Sequence, residues 1–287
     1  MNLLDRLIKL DRRIIFLLIF LAVGIPLIAP IGLPVEPSQP IESGYDFIEE
    51  MPPGSFVLVS YDYDPSARPE LYPMGLAIIK HLMGRGIKVV TMALWPAGAK
   101  LAEEALNESV QYIKDTQGRE LEYGRDYANL GFMAGNQIVI VSLGKSVSKT
   151  FPNDFYGTPI ENINILNGMK NYSNIDLIVT ISAGDPGVPY WVMYAGDAYD
   201  KPVIGGCTAV SAPQLYPYFA NKQLVSLIGG LKGAAEYETL IKAPGKASKG
   251  MDSQSIAHLT IILLIIVGNI TFFLDKQRLK RLKRRMK

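Results

Sequence analysis

Two long apolar runs without a charged Asp, Glu, Lys or Arg lie near the two ends of the chain. Residues 14–33 form the first run, and residues 256–274 form the second, in which His258 is the only side chain that could carry a charge. Each run is long enough to cross a hydrocarbon core roughly 30 Å thick as a helix. A cleaved signal peptide is the alternative for the first run, but that run is long and no clear small-residue cleavage site follows it. The pattern therefore predicts transmembrane helices at 14–33 and 256–274.

Between these runs, shorter apolar segments alternate with segments of helical period. Most of the short segments are continuously apolar, which is typical of strands buried on both faces of a parallel sheet. The predicted strands are Phe56–Tyr61, Lys88–Leu94, Gln137–Leu143, Asp176–Ile181, Pro202–Thr208 and Leu224–Ile228. The predicted helices are Glu70–Met83, Ala97–Ile113, Tyr190–Tyr199, Pro213–Asn221 and Leu231–Lys242, with a further helix start at the capping box Thr158–Glu161. The alternation predicts an α/β fold with an open, mostly parallel Rossmann-like sheet flanked by helices, between N- and C-terminal transmembrane helices.

The remaining segments complete the predicted domain organisation. Residues 34–54 are rich in proline and acidic residues and predict a stalk, with a short helix at Tyr45–Met51. The α/β domain then spans residues 55–243, and residues 244–255 form a linker to the second membrane helix. Inside the domain, residues 114–136 are polar and fit neither pattern, so we expect an excursion at the sheet edge.

Charge is distributed unevenly and predicts the orientation of the chain. The tails at residues 1–13 and 275–287 carry twelve Lys and Arg, whereas the rest has 17 basic and 24 acidic residues, a formal charge of −7. Basic flanks remain cytoplasmic, so we expect a two-pass cell-membrane protein with both termini inside and the main domain extracytoplasmic. An acidic domain argues against nucleic acid as a partner. The basic C-terminal tail could bind nucleic acid, but beside a membrane helix it is better interpreted as a contact to anionic lipid headgroups.

Cys207 is the single cysteine, and it limits the chemistry available to the chain. One cysteine excludes an internal disulfide and a cysteine metal cluster, and we predict no metal and no cofactor. The two histidines are His81, within a predicted helix, and His258, within the second apolar run, so neither is expected near Cys207. We interpret Cys207 as a small buried residue rather than a nucleophile.

The stretch IVIVSLGKSVSKT at residues 138–150 is similar to the end of a phosphate-binding loop. The nucleotide-binding motif requires Gly, four residues and then Gly-Lys-Ser/Thr, but Val139 stands where the first glycine should be. The loop of backbone N–H groups that would surround the phosphates is therefore missing. Lys145 is then either a solvated loop lysine or one cation in a pocket for a small anion.

Two carboxylates follow the first predicted strand, in the sequence FVLVSYDYDPS. Asp62 and Asp64 at a strand end could bind Mg²⁺ or act as nucleophile and general acid, and the pattern resembles the first motif of haloacid-dehalogenase-type phosphohydrolases. The later carboxylates, in the stretches 184–187 and 196–200, have the wrong spacing or lie in a predicted helix. The alternative is a turn that starts at Asp64. Asp62 and Asp64 are the only catalytic candidates, and the sequence favours a non-enzymatic protein.

Several predicted strands run directly into glycine or small polar residues. In open α/β sheets the carboxyl ends of the strands line the crevice where ligands bind, and glycine lets a ligand approach the backbone closely. Tight strand-to-helix turns are the alternative explanation, because they also favour glycine. The candidates for such a crevice are Trp95, Lys145, Ser146, Asp185, Thr208 and Gln214. They define a second hypothesis, an extracytoplasmic domain that binds or senses a small anion.

Aromatic residues are concentrated between residues 187 and 219. Tyr and Trp are enriched at protein interfaces and at the membrane surface, although packing of helices against the sheet also accounts for them. In the second apolar run, Asn269 should pair with another helix, either the first span or a neighbouring subunit. The interface candidates are Tyr190, Trp191, Tyr194, Tyr216, Tyr218 and Asn269, and they favour a homo-oligomer or a complex with a membrane partner.

The stretch CTAVSAPQLYPYFANKQLVSLIGGLKGAAEYE at residues 207–238, followed by a final apolar span, resembles a family of prokaryotic two-span membrane proteins. The resemblance extends over most of the middle domain and implies the architecture, but the family has no assigned activity and supplies no catalytic residue. The leading hypothesis is a membrane-anchored, non-enzymatic assembly or scaffold subunit whose extracytoplasmic domain self-associates or docks a partner.

Overall fold

The computed structural model describes the backbone of residues 11–285, together with the side chains of residues 11–278 and 280. The chain divides into two compact units. One unit combines residues up to Pro34 with residues from Lys249 onward, and the other is Val35–Ser248. The second unit contains the whole sheet and is the α/β domain.

All strands of the α/β domain are parallel and form one open sheet. Their order across the sheet is β3-β2-β1-β4-β5-β6. The strands are β1 (Phe56–Asp62), β2 (Lys88–Ala93), β3 (Tyr127–Phe132), β4 (Leu177–Ser182), β5 (Val203–Cys207) and β6 (Ser226–Gly229). Nearly every residue of β1, β2, β4 and β5 is buried, which is why these strands are continuous apolar runs in the sequence. The prediction of an α/β fold with an open parallel sheet flanked by helices is confirmed.

The helices alternate with the strands as the sequence predicts. In chain order they are α1 (Arg12–Ile28), α2 (Gln39–Glu50), α3 (Arg68–Gly84), α4 (Pro96–Gln117), α5 (Gln137–Leu143), α6 (Val147–Thr150), α7 (Asn164–Asn167), α8 (Val188–Trp191), α9 (Ala212–Ala220), α10 (Gly230–Leu240) and α11 (Lys246–Arg285). The predicted bounds of α3, α4, α9 and α10 are right to within a few residues. The helix predicted at Tyr190–Tyr199 is instead α8 followed by a π-helical segment at Val192–Asp197, and the capping box at Thr158 leads only into a 3-10 turn, Ile160–Asn162.

One predicted strand, Gln137–Leu143, is wrong, because this segment is helix α5. Its β-branched run favours a strand, but Val139, Ile140 and Leu143 fall on one helical face and are buried in the core. Ile138 lies off that face and is 68% exposed. The buried positions are one and four residues apart, so the packing of a helical face outweighs the local preference for a strand.

The strand missing from the sequence-based prediction, β3, lies at one edge of the sheet, within the polar segment 114–136. It contains Asn129 and Gly131, whose residue types are depleted in strands. A loop covers its outer side, where the backbone N–H of Phe155 donates to the carbonyl of Asn129 at 2.8 Å. The segment expected to be an excursion at the sheet edge is therefore a regular edge strand protected by a loop.

The segment predicted as a stalk, residues 34–54, consists largely of helix α2, which belongs to the α/β domain. Ile41 and Ile48 on this helix are buried. The helix contacts α10 and β6, and the hydroxyl of Ser226 in β6 donates to the carbonyl of Pro40 at 2.7 Å. The segment thus packs against β6 and α10 and is part of the domain rather than a stalk.

Within the described residues, one helix is long and apolar enough to cross a membrane, and it lies in α11, at Lys246–Arg278. Its large apolar side chains between residues 256 and 274 are almost all exposed. Exposure of this kind distinguishes the helix from the core helix of a soluble domain, in which one face at least would be covered. By length and composition, the C-terminal prediction of a membrane-spanning helix is therefore supported.

The first predicted membrane helix is shorter in the structure than in the sequence pattern. Helix α1 has 17 residues and ends at Ile28, so the predicted span 14–33 ends five residues early. The backbone N–H groups of residues 31–33 donate to the carboxylate of Asp252 at 2.8–3.0 Å. Pro30 has no N–H, and the next three donors serve this carboxylate instead of continuing the helix.

Candidate functional site

The strand order reverses between β1 and β4, at the centre of the sheet. The chain builds the sheet outward from β1 to β3 and then returns to place β4 beside β1. In open α/β sheets the carboxyl ends of the strands at such a reversal form the usual ligand crevice. Here these ends are Asp62 and Ser182, which lie opposite each other in the register of the two strands.

Asp62 occupies this position, and its carboxylate is fully buried. It accepts a hydrogen bond from the backbone N–H of Leu94 at 2.8 Å and one from the indole Nε1–H of Trp191 at 3.1 Å. The hydroxyl of Ser60 lies 2.8 Å from both carboxylate oxygens. Asp62 thus joins the end of β1 to the end of β2 and to helix α8, whose Trp191 indole is buried beside it.

Burial raises the pKa of Asp62 to about 6, and the hydrogen bonds from Leu94, Ser60 and Trp191 offset part of that rise. Asp64 differs in every respect. It is half-buried at a turn, where its carboxylate accepts the backbone N–H of Ser66 at 2.9 Å, and the hydrogen bonds from Ser66 hold the pKa of Asp64 below its ordinary value. The two carboxylates therefore have separate structural roles, which makes a shared catalytic site a poor description of them.

The structure offers no arrangement of acids for a metal at this position. Among the residues that it describes, no group of three or more His, Cys, Asp or Glu side chains could hold a metal ion. The carboxyl ends of the strands do bring Trp95 and Asp185 close together, since Trp95 lies beside Gly184 and Asp185 is the next residue. Asp185 is exposed and accepts a long hydrogen bond of 3.4 Å from the hydroxyl of Tyr190. These two crevice candidates share one rim of the reversal point.

Thr208 and Gln214 lie further along the same sheet edge, after β5. The hydroxyl of Thr208 is 3.0 Å from that of Ser211 and stabilises the start of α9, on which Gln214 is exposed. The carboxylate of Glu70 accepts the backbone N–H of Ala209 at 2.9 Å. The turn after β5 is therefore fixed by local hydrogen bonds, as in the alternative of a tight strand-to-helix turn.

Lys145 and Ser146 are not part of this group. They follow helix α5, and Gly144 packs against the ring of Tyr199, which precedes β5 and so marks the amino edge of the sheet. Lys145 is exposed, whereas Ser146 caps α6 by accepting the N–H of Lys149 at 3.3 Å. Both side chains line a groove of about 340 Å³ along α5. The six residues predicted to line one crevice are thus divided between the carboxyl ends and the amino ends of the strands.

The interface candidates also occupy different environments. Trp191 is fully buried and cannot contact a partner, because its indole serves Asp62. Tyr190 and Tyr194 are half-buried and pack together with ring centroids 5.9 Å apart. Tyr216 is exposed on α9 and Tyr218 is half-buried, while Asn269 is exposed on the apolar part of α11.

A polar cluster that the sequence does not reveal surrounds His81, near the end of α3. The imidazole Nε2 is 2.8 Å from a carboxylate oxygen of Glu49, and Nδ1 is 2.8 Å from the hydroxyl of Tyr237. The ring of Tyr45 stacks on the imidazole with centroids 4.8 Å apart. The hydrogen-bond partners of His81 come from α2 and α10, 32 and 156 residues away along the chain, so no local motif could indicate the cluster.

Burial favours the neutral form of His81, and in that form its hydrogen-bond partners fix the tautomer. A carboxylate can only accept, so Nε2–H donates to Glu49 and Nδ1 accepts from the fully buried Tyr237 hydroxyl. Burial lowers the pKa of His81, and the Glu49 carboxylate offsets part of that effect. The cluster therefore fixes three helices to one another, and it lines one side of a cavity of about 260 Å³.

Comparisons with known proteins give no family to which these sites could be assigned. No family model matches the chain, and no curated protein matches it either.

Proposed function

We propose that the chain is a two-pass membrane protein with both termini in the cytoplasm, and that it works as a non-enzymatic scaffold by pairing with further copies of itself. The proposal rests on the apolar part of α11, on the apolar residues 14–33 and on the basic tails at both ends. In this topology the acidic α/β domain lies outside the cytoplasm, and the C-terminal tail contacts anionic lipid headgroups.

The observation that carries self-association is the environment of Asn269. Its carboxamide is exposed among apolar side chains of α11. Within the described part of the chain this amide makes no side-chain hydrogen bond. In hydrocarbon an unpaired amide is unfavourable, so another polar group should satisfy it.

A second copy is the partner that best fits this amide. A carboxamide carries both donors and an acceptor, so two Asn269 side chains can pair reciprocally across a two-fold axis.

The test is the variant Asn269→Leu in the full-length protein. Amide pairs between membrane helices contribute roughly 0.6–2 kcal/mol, so the dissociation constant between labelled copies should rise about 3- to 30-fold. Energy transfer between copies in lipid bilayers, measured over a range of protein-to-lipid ratios, reports that constant.

Thr260→Val is the matched control. The Thr260 hydroxyl already donates to the carbonyl of Ile256 on its own helix at 2.8 Å, so its removal should leave association unchanged. An unchanged constant for Asn269→Leu, or a monomeric wild type at every ratio, contradicts self-association. Capture of a different membrane protein by the wild type, lost in Asn269→Leu, would show that the amide pairs with another chain instead.

A further inference from the structure

A cavity of about 260 Å³ lies beside the His81 cluster, where several helices of the α/β domain end. Its lining includes Glu49, Lys80, His81, Arg85, Tyr112 and Lys242. Three of these side chains are cationic and one is a carboxylate, while His81 is neutral. The volume is just below the range of roughly 300–1,000 Å³ usual for ligand pockets, so it suits a small group.

Lys80 is the residue that distinguishes this cavity from an ordinary charged surface. Its side chain is half-buried, and its ammonium lies 4.6 Å from the centre of the Tyr112 ring. Within the described residues, no carboxylate oxygen lies within 4.0 Å of this ammonium. A charge withdrawn from water is normally paired, so this ammonium can take an anion as its partner.

The neighbouring groups fit an anion as well. Glu49 is already neutralised in part, because it accepts from His81 and lies 3.5 Å from the guanidinium of Arg85. Glu108 and Glu238 act on Lys80 from a distance, but burial has the larger effect and lowers the pKa of Lys80. Lys242 reaches the cavity from the end of α10, where its backbone adopts a left-handed conformation with φ of 53°.

We propose that this cavity binds a phosphate group, held by Lys80, Arg85 and Lys242. Three cations against one carboxylate leave a net formal charge of about +2, which suits a group with two negative charges, and Lys and Arg are the usual ligands of phosphate oxygens. The group can belong to a soluble phosphate compound or to the headgroup of a lipid. The proposal is independent of self-association through Asn269.

The test is thermal unfolding of the full-length protein in detergent micelles, with inorganic phosphate compared with chloride at equal ionic strength. At about ten times its dissociation constant, phosphate should raise the melting temperature of the wild type by about 3 °C. Lys80→Met keeps the side-chain stem over Tyr112 and removes the charge, so the phosphate-specific shift should fall to less than half.

Lys88→Met is the matched control, because the Lys88 ammonium also lies over an aromatic ring, 4.7 Å from the centre of Phe56, but outside the cavity. It should keep the full shift. Lys242→Met gives a second measurement in case Lys80→Met does not fold, because Lys242 is exposed and its truncation leaves the core intact. No phosphate-specific shift in the wild type overturns the proposal, and so do equal shifts in wild type, Lys80→Met and Lys242→Met.

A further arm distinguishes the source of the phosphate. Dihexanoyl phosphatidic acid is added at the same phosphate concentration, with dihexanoylglycerol as the analogue that lacks phosphate. A larger shift with the phosphatidic acid than with inorganic phosphate supports the site and assigns it to a lipid headgroup. Equal shifts with the phosphatidic acid and with inorganic phosphate support the site and assign it to soluble phosphate. If dihexanoylglycerol produces the same shift as the phosphatidic acid, the role of phosphate is overturned.

Discussion

Asp62 stabilises the centre of the sheet by accepting hydrogen bonds from three neighbouring parts of the fold. Its donors are the hydroxyl of Ser60, the backbone N–H of Leu94 and the indole of Trp191. Folding raises the pKa of this carboxyl from an ordinary 3.8 to about 6. The folded protein therefore binds the proton of Asp62 more tightly than the unfolded chain does. Stability from this group is therefore complete below about pH 4 and is lost as the pH rises to about 6.

The first prediction concerns the variant Asp62→Asn. A shift of about two pKa units corresponds to about 3 kcal/mol, so the free energy of unfolding of the wild type should fall by that order between pH 4 and pH 6, whereas the variant should lack this slope. In the variant, the N–H₂ group of the asparagine side chain points at hydrogen-bond donors and cannot accept from them. This should lower the free energy of unfolding by about 1–3 kcal/mol at pH 4. Denaturant unfolding followed by tryptophan fluorescence measures both effects, because Trp95 and Trp191 both lie near this carboxylate's end of the sheet.

Asp64→Asn is the control for this experiment. Asp64 is half-buried and its carboxylate accepts hydrogen bonds only within its own turn, so the variant should retain the wild-type loss of stability between pH 4 and pH 6. The assignment to Asp62 fails if Asp62→Asn keeps the same slope as Asp64→Asn.

At the scale of elements, helix α10 holds the two segments through which the chain enters and leaves the α/β domain. Glu236 accepts the backbone N–H of Ser38, the residue before α2, at 3.0 Å. Glu238 accepts the N–H groups of Gly245, Ala247 and Ser248 at 2.8–3.0 Å, at the start of α11. Both carboxylates are buried, and the first amides of a helix have no carbonyl partner of their own. One helix therefore fixes both connections.

The second prediction concerns Glu238→Gln. The amide can accept fewer of these hydrogen bonds, so amides 245–248 should exchange with deuterium about 5- to 150-fold faster, which corresponds to a loss of roughly 1–3 kcal/mol. Hydrogen exchange with mass spectrometry measures this. Glu236→Gln is the matched variant on the same helix and should accelerate exchange near residue 38 while leaving 245–248 unchanged. Uniform acceleration in both variants would refute separate roles for the two carboxylates.

The elements also indicate how far a sequence of this kind can be interpreted. Five of the six strands are predictable because continuous apolar runs match strands buried on both faces. Strand β3 is not, because Asn129 and Gly131 interrupt its pattern, and helix α5 is mistaken for a strand because its seven residues are too few to establish a helical period. Short elements at the side of a sheet take their structure from packing against the rest of the fold.

The candidate sites, too, can be predicted from the sequence only in part. The position of Asp62 at a strand end follows from the sequence, but its donors come from three segments and give it a structural role. The His81 cluster is invisible locally, since Glu49 lies in the segment that its composition predicts to be a stalk. Helix α2 shows the reason, because its polar surface residues dominate the composition while only Ile41, Gly44 and Ile48 are buried.

At the scale of the whole molecule, the proposed topology makes a third prediction. The native Cys207 is buried, so it should not react with a membrane-impermeant maleimide in the folded protein. Glu42→Cys, exposed on α2, should be labelled in intact cells, whereas Lys276→Cys, exposed beyond the apolar part of α11, should be labelled only after permeabilisation. Labelling of both sites in intact cells contradicts the two-pass arrangement, and labelling of Glu42→Cys only after permeabilisation places the domain in the cytoplasm.

The loop containing Phe155 covers the outer side of β3, and helix α2 packs against β6 through the side chain of Ser226. An uncovered edge strand is a template on which another polypeptide can add a strand, and this is a common route to aggregates. At β3 the loop leaves fewer free backbone groups on which a second chain could add a strand. In the proposed self-association, copies that exchange no strand at this edge can separate again without any subunit unfolding.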